Sequence, residues 1–122
     1  MERLHPPGPR LAQGQLTGDT GVAEEIVQLD LRGLTSVADY FVICTGRSDR
    51  QVKAIHDRIH IGMKNQRGTL PIRVDGVTQA QWVLMDYGDV IVHIFMPEMR
   101  DFYRLEQLWG EAPSRTLEFA AA

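Results

Sequence analysis

Residues 82–95 read Trp-Val-Leu-Met-Asp-Tyr-Gly-Asp-Val-Ile-Val-His-Ile-Phe, and this stretch decides the fold. Two apolar runs flank a polar turn in which Gly88 can supply the positive φ of a tight hairpin. Because alternate side chains of a strand share a face, Trp82 and Asp86 lie together on one side of the first strand. His93 interrupts the apolar run of the second strand. A Trp, an acid and a His on an otherwise apolar hairpin predict a sheet that is both core and contact surface.

Three further segments before this hairpin have the composition of strands. We expect them at residues 26–31, 39–45 and 70–75. A long helix after the second strand allows one parallel crossover, whereas the last three strands look antiparallel. The sequence therefore predicts an α/β fold with a mixed five-stranded sheet flanked by helices.

The two expected helices carry recognisable end signals. Ser48 followed three residues later by Gln51 is a capping box, and Gly68 is a plausible stop for the long helix. Pro97 opens the last helix and Gly110 follows its end, which fits the usual asymmetry of helix termini. Its apolar stripe consists of Met99, Phe102, Leu105, Leu108 and Trp109.

The composition is that of one folded domain with short extensions. The 122 residues are 43% hydrophobic and 24% charged, as in ordinary soluble proteins. Residues 1–21, rich in Pro, Gly, Gln and Thr, predict an irregular or mobile arm, residues 22–110 the domain, and residues 111–122 a C-terminal tail. The chain shows no signal-peptide core and no apolar run of roughly 18 residues, so we expect a cytoplasmic protein without a membrane contact.

The charge balance argues against direct binding of nucleic acid. The net charge is −3 and the pI about 5.7, whereas proteins that bind phosphate backbones usually carry a basic excess. A mildly acidic surface suits a basic protein partner instead. The single cysteine, Cys44, lies in an apolar run and reads as a buried side chain without an activating neighbour.

Three candidate sites for chemistry have a plainer structural interpretation. Residues 46–48, Gly-Arg-Ser, could hold a phosphate at a helix N-terminus, but a turn with a capping Ser48 is the simpler interpretation. After Ser48 no two acids are spaced by one residue, as a Mg²⁺-dependent nucleotidyl transfer needs. His56 and His60 have zinc-helix spacing but lack an obvious third ligand. His93 is expected to bond a neighbour such as Asp86 or a main-chain carbonyl rather than act as a base.

The segments taken together resemble the ribosomal silencing factor family, also called the Iojap family. The resemblance runs in one unbroken order from about residue 24 to residue 109. It rests on Asp-Tyr-Phe-Val-Ile at 39–43, Gly-Arg-Ser at 46–48, Gln-Val-Lys-Ala-Ile at 51–55, Asp-Gly at 75–76, Trp-Val-Leu-Met-Asp-Tyr-Gly-Asp at 82–89, Val-His-Ile-Phe at 92–95 and Arg-Asp-Phe-Tyr-Arg-Leu-Glu-Gln-Leu-Trp at 100–109.

The resemblance implies a nucleotidyltransferase-like fold without transferase activity, cofactor or metal. Family members bind the universal large-subunit ribosomal protein numbered fourteen on the face that meets the small subunit. They thereby block subunit joining and repress translation when nutrients are scarce, while organellar relatives act in large-subunit assembly. We also expect a homodimer when the protein is free.

The interface residues follow from the hairpin and the last helix. Exposed aromatics flanked by charge are typical of interface anchors. We expect Trp82 as the anchor, Asp86, Tyr87 and Asp75 as polar contacts, and Tyr103 and Arg100 as further contacts. Two other function classes stay open at this point: a nucleotide-binding enzyme that uses residues 46–48, and a dimeric scaffold whose aromatics serve self-association.

Overall fold

A mixed six-stranded sheet forms the centre of the structure, a computed structural model that describes residues 23–117. The predicted N-terminal arm, residues 1–21, lies outside the described residues. In chain order the elements are β1 (Glu24–Asp30), β2 (Tyr40–Thr45), α1 (Asp49–Arg67), β3 (Arg73–Asp75), β4 (Trp82–Asp86), β5 (Val90–Phe95), α2 (Pro97–Tyr103), α3 (Leu105–Leu108) and β6 (Ser114–Leu117). No helix within residues 23–117 is long and apolar enough to cross a bilayer.

The strand order across the sheet is β3-β4-β5-β2-β1-β6. The central neighbours β2 and β5 are parallel, and every other neighbouring pair is antiparallel. The predicted mixed sheet and the antiparallel β3-β4-β5 ribbon are therefore confirmed. Because α1 crosses over to the far edge of the sheet, the parallel partner of β2 is β5, the last strand of that ribbon.

The strand count differs from the five that the sequence predicts. Residues 114–117, expected in the C-terminal tail, form β6 and pair antiparallel with β1. This strand has a single buried side chain, Leu117, and three exposed ones, so its own pattern carries little strand signal. Pairing with a neighbouring strand, rather than local propensity, stabilises such an edge.

The last helix is broken in two at Arg104. Arg104 has φ 50°, a left-handed conformation, so α2 ends there and the short α3 starts immediately afterwards. A single continuous helix over this segment was therefore a wrong prediction. The break turns Phe102 and Leu108, expected in a buried stripe, out to 76% and 72% exposure.

Helix α1 follows its sequence signals closely. Its N-cap Ser48 accepts the N–H of Gln51 at 3.1 Å, and the Gln51 side chain reaches back to the N–H of Arg47 at 2.8 Å. The second bond goes one residue further back than in the standard capping box. Gly68, with φ 64°, ends the helix. The apolar stripe packs on the sheet through Val52, Ile55, Ile59 and Met63.

The two faces of the sheet are covered to different extents. The face under α1 forms one core cluster that includes residues from β2, β4 and β5. On the other face the shorter α2 and α3, with Trp109, pack over Leu29, Phe41, Ile43 and Phe95. The side chains of β4 alternate between half-buried and fully buried, so its second face is left partly open.

Candidate functional site

The half-buried face of β4 is the candidate site. The pleat places Trp82, Leu84 and Asp86 on this face. In the β3–β4 register Asp75 lies opposite Leu84 and Arg73 opposite Asp86, so both β3 residues join the same face. Arg73 Nε and Asp75 Oδ2 form an ion pair at 3.1 Å, with both side chains more than half exposed. Three of the predicted contacts, Trp82, Asp86 and Asp75, are thus together.

Helix α2 adds two aromatic rings to this face. Tyr103 packs against Trp82 with ring centroids 4.5 Å apart, and Phe102 lies edge-on to Tyr103 at 5.0 Å. Phe102 is 76% exposed and Tyr103 45%. We call Trp82, Phe102 and Tyr103 the aromatic surface. Exposed aromatic groups of this kind mark protein interfaces more often than isolated apolar side chains do.

Two side chains of β5, the neighbouring strand, contact the indole of Trp82. Its ring stacks on Phe95, the directly opposite residue, with centroids 5.0 Å apart. Its Nε1–H donates to Nδ1 of His93 at 3.1 Å. The expected partners of His93, Asp86 or a carbonyl, were therefore the wrong ones. The His93 ring is only 4% exposed, and burial lowers its pKa from 6.5 to about 4. His93 is therefore neutral near pH 7.

Asp86 has a structural role as well as a surface position. Its Oδ1 accepts the backbone N–H of Gly88 at 2.8 Å and so closes the hairpin turn. Gly88 has φ 94°, the positive value that the sequence predicted for this turn. The other carboxylate oxygen of Asp86 forms no hydrogen bond within residues 23–117, which leaves it for solvent or a partner.

Tyr87 lies apart from the other candidates. It packs against the core cluster on the α1 side of the sheet, opposite to the face of Trp82. Its hydroxyl is buried, and burial raises the pKa of this phenol to about 12. Tyr87 directly follows Asp86, the last residue of β4, so the alternation of the strand directs its ring to the side of Val83 and Met85. The structure does not bring Tyr87 together with the aromatic surface.

Arg100 points inward and ties α2 to the sheet. Its Nη1 donates to the carbonyl of Glu25 at 2.7 Å and to Thr45 Oγ1 at 2.8 Å. Its Nη2 lies 2.7 Å from Glu106 Oε2, and the Arg100 side chain is 11% exposed. These bonds fix the helix that carries Tyr103. Arg100 is a support of the aromatic surface rather than an exposed part of it.

Glu106 and Phe102 are the residues that sequence reasoning missed. Glu106 stands six positions after Arg100, a spacing that no regular helix brings together, and the break at Arg104 is what allows the pair. The same break exposes Phe102. A left-handed conformation at an Arg has no clear sequence signature. The sequence therefore predicts neither the Arg100–Glu106 pair nor the exposure of Phe102, since both depend on the break at Arg104.

The Gly46–Ser48 turn uses its polar groups internally. Gly46 N–H donates to the carbonyl of Phe95 at 2.9 Å, and Ser48 caps α1. A side chain at Gly46 would come within 2.9 Å of Val52 and 3.2 Å of Ile55, so the glycine is explained by close packing of strand against helix.

The other reactive side chains are arranged without an obvious ligand site. His56 and His60 stack with centroids 5.7 Å apart, and His56 Nδ1 lies 3.0 Å from Asp57 Oδ1. Among residues 23–117 no group of three or more His, Cys, Asp or Glu could hold a metal ion. Cys44 is fully buried, and burial raises the pKa of its thiol to about 12, despite the opposing effect of Arg100. A thiol in that state is a poor nucleophile.

Comparison with known proteins decides the family. A family model described as "Ribosomal silencing factor during starvation" matches residues 17–122. The ribosomal silencing factor of Bacillus subtilis is 46% identical over 97 residues, which cover 80% of this chain and 81% of that protein. The chain belongs to the ribosomal silencing factor family. The resemblance seen in the residues is thereby confirmed, and the matched region includes β6.

Two further members of the comparison extend this result. A crystal structure of a Chromobacterium violaceum protein superposes with a TM-score of 0.77 at 34% identity, and covers 93% of this chain and 91% of that one. A mouse protein named "Mitochondrial assembly of ribosomal large subunit protein 1" is 33% identical over 76 residues, or 58% of this chain and 32% of that protein. The ribosomal silencing factor family thus has similar sequences in bacteria and in an animal.

Proposed function

We propose that this protein binds the large ribosomal subunit through its aromatic surface and prevents the small subunit from joining, so that translation is repressed under starvation. It acts in the cytoplasm by occupying a surface, without catalysis or a cofactor. The observation that carries the proposal is the aromatic surface itself: Trp82, Phe102 and Tyr103 on one face, beside two carboxylates, in a chain of this family.

The partner on the subunit is the universal ribosomal protein numbered fourteen. Ribosomal proteins are mostly basic, and this chain carries a net charge of −3. Asp75 is exposed beside the aromatic surface, and Asp86 keeps one carboxylate oxygen free of hydrogen bonds within residues 23–117. Such acids increase the association rate with a basic partner and fix its orientation, while buried rings supply most of the affinity.

The free protein is proposed to pair with a second copy through the same surface. Exposed rings are costly to leave in water, and a symmetric dimer would cover them until the ribosomal partner replaces the second copy. Light scattering should therefore show a dimer that dissociates when the ribosomal protein is added. A dimer that persists in the complex would place the self-contact on another surface.

Subunit joining followed by light scattering tests the function. Large subunits are first incubated with the protein, and small subunits are then added. The wild-type protein should reduce joining. Phe102→Ala should relieve this effect, because the Phe102 ring is 76% exposed and contributes little to the fold. Trp82→Ala should weaken binding by about 2 kcal/mol or more, as expected for an interface anchor.

The matched control is Ile61→Ala. Ile61 is 55% exposed on α1, which covers the other face of the sheet, so the control also removes an exposed apolar side chain. It should inhibit joining as well as the wild type does. If the wild-type protein at saturation leaves joining unchanged, or if Phe102→Ala and Ile61→Ala behave alike, the proposed surface or function is wrong.

A role in large-subunit assembly is the second candidate. The name of the mouse relative favours it, since that protein is named for assembly of the mitochondrial large subunit. The two functions differ in the form of the large subunit that the protein binds. An assembly factor should bind immature large subunits in preference to mature ones, and its loss should cause precursors to accumulate. A silencing factor should bind mature subunits and alter joining alone.

A further inference from the structure

The hydrogen bond between Trp82 and His93 identifies the tautomer of the His93 ring. The indole Nε1–H can only donate, so Nδ1 of His93, 3.1 Å away, must be the nitrogen without a proton. The single proton of the neutral imidazole is therefore on Nε2. The buried Nε2 forms no hydrogen bond within residues 23–117.

The unpaired Nε2–H makes His93 an energetically unfavourable residue for the folded state at this position. A buried donor without an acceptor destabilises the folded state, whereas an apolar side chain of similar size would avoid that cost. The directly opposite residues, Leu84 on β4 and Ile43 on β2, are apolar and give the ring no polar partner. Within residues 23–117, the hydrogen bond that the His93 ring makes is the one in which its Nδ1 accepts the Trp82 N–H.

This bond is also the directional contact that Trp82 makes. Phe95 and Tyr103 contact the indole through ring faces and edges, which restrain its position but set its rotation only weakly. The acceptor is rigid, because His93 is 4% exposed and packs against Phe41 with centroids 4.5 Å apart. The orientation of the indole is thus determined by a buried, immobile group on the neighbouring strand.

We propose that His93 is a positioning residue for the interface: it holds Trp82 in one orientation with its N–H already engaged, so that the partner covers the indole with carbon surface and not with a hydrogen-bond acceptor. This inference rests on the proposed function. Polar recognition then falls to the neighbouring carboxylates of Asp75 and Asp86. The matching site on the partner is an apolar patch bordered by basic side chains.

The bond itself is tested by NMR on the wild-type protein. Nitrogen shifts of the His93 ring should report the tautomer protonated at Nε2. The chain has two tryptophans, and the indole N–H of Trp109 has no hydrogen-bond partner within residues 23–117, so it serves as an internal control. The Trp82 indole N–H should exchange with solvent slower by about fivefold or more, as one hydrogen bond implies. Equal exchange at Trp82 and Trp109 would overturn the proposal.

The role in binding is tested by a double-mutant cycle. His93→Phe removes the acceptor but keeps a buried ring, and should weaken binding to large subunits by about fivefold. In a Trp82→Phe background, which has no N–H to orient, the same substitution should weaken binding no further. Equal losses in the two backgrounds, or a folded His93→Phe protein that binds like the wild type, would show that His93 acts only in the core.

A third measurement addresses the partner chemistry. When purified ribosomal protein fourteen is added, the Trp82 indole resonance should keep its hydrogen-bonded shift. A change to a new acceptor would overturn the proposal. If His93→Phe does not fold, the two wild-type NMR measurements still decide it. Failure of the wild-type protein to bind large subunits would instead overturn the proposed function, whatever the tautomer.

Discussion

Lowering the pH from about 7.5 to about 5 should destabilise the protein through His93. Burial lowers the pKa of this ring from 6.5 to about 4. Between these values the unfolded chain binds a proton that the folded chain does not, so the free energy of unfolding decreases as the pH falls. At pH 5 the unfolded pKa lies about 1.5 units above the pH, and at 1.36 kcal/mol per unit the loss is about 2 kcal/mol.

Urea unfolding at the two pH values measures this loss. Other groups also titrate between them, so the matched control is His93→Phe, which keeps those groups and removes this one. The wild type should lose about 2 kcal/mol more than the variant between the two pH values. Equal losses in the two proteins would refute the reasoning, because they would mean that the folded state accommodates a protonated His93 as readily as the unfolded state does.

The remaining predictions concern residues that hold the aromatic surface in place. Gly76→Ala should destabilise the protein by about 2 kcal/mol or more, because Gly76 has φ 88° and an added Cβ would overlap the Trp82 carbonyl; urea unfolding against the wild type checks it. Arg100→Met should cost about 2 kcal/mol, since it leaves Glu106 without its cation, and should increase proteolysis at α2. In a Glu106→Gln background the same substitution should cost less, and an equal cost in the two backgrounds would show that the ion pair is not the cause.

The parts of the fold that the sequence predicted correctly have strong local signals. The capping Ser48, the stop at Gly68 and the apolar stripe of α1 each reflect interactions within a few residues along the chain. The hairpin turn at Gly88 is of the same kind. The pleat then places Trp82 and Asp86 on one face without any further information.

The parts that the sequence did not predict depend on distant residues. Strand β6 is stabilised by its pairing with β1, some 85 positions earlier (Leu29 with Ser114), and its own side chains are mostly exposed. The inward turn of Arg100 depends on Thr45 and on a carbonyl of β1. Local patterns report on neither. The strand pattern places Trp82 and Asp86 on one face and sends Tyr87 to the opposite one. The direction of Arg100, in contrast, is set by long-range bonds that no local pattern reports.

The central parallel pair has a consequence for how the molecule folds. Tyr40 lies opposite Val90, so β2 and β5 can meet only after a loop of about fifty residues has closed. The β1–β2 pair and the β3-β4-β5 ribbon involve shorter separations and can form independently before that step. Trp82 belongs to the ribbon, whereas the Arg100 bonds that hold Tyr103 in place reach Glu25 and Thr45 on the other unit. The support that fixes Tyr103 beside Trp82 is therefore completed only when the two halves dock, and a chain trapped before docking would carry the rings of the aromatic surface without the bonds that hold α2 in place.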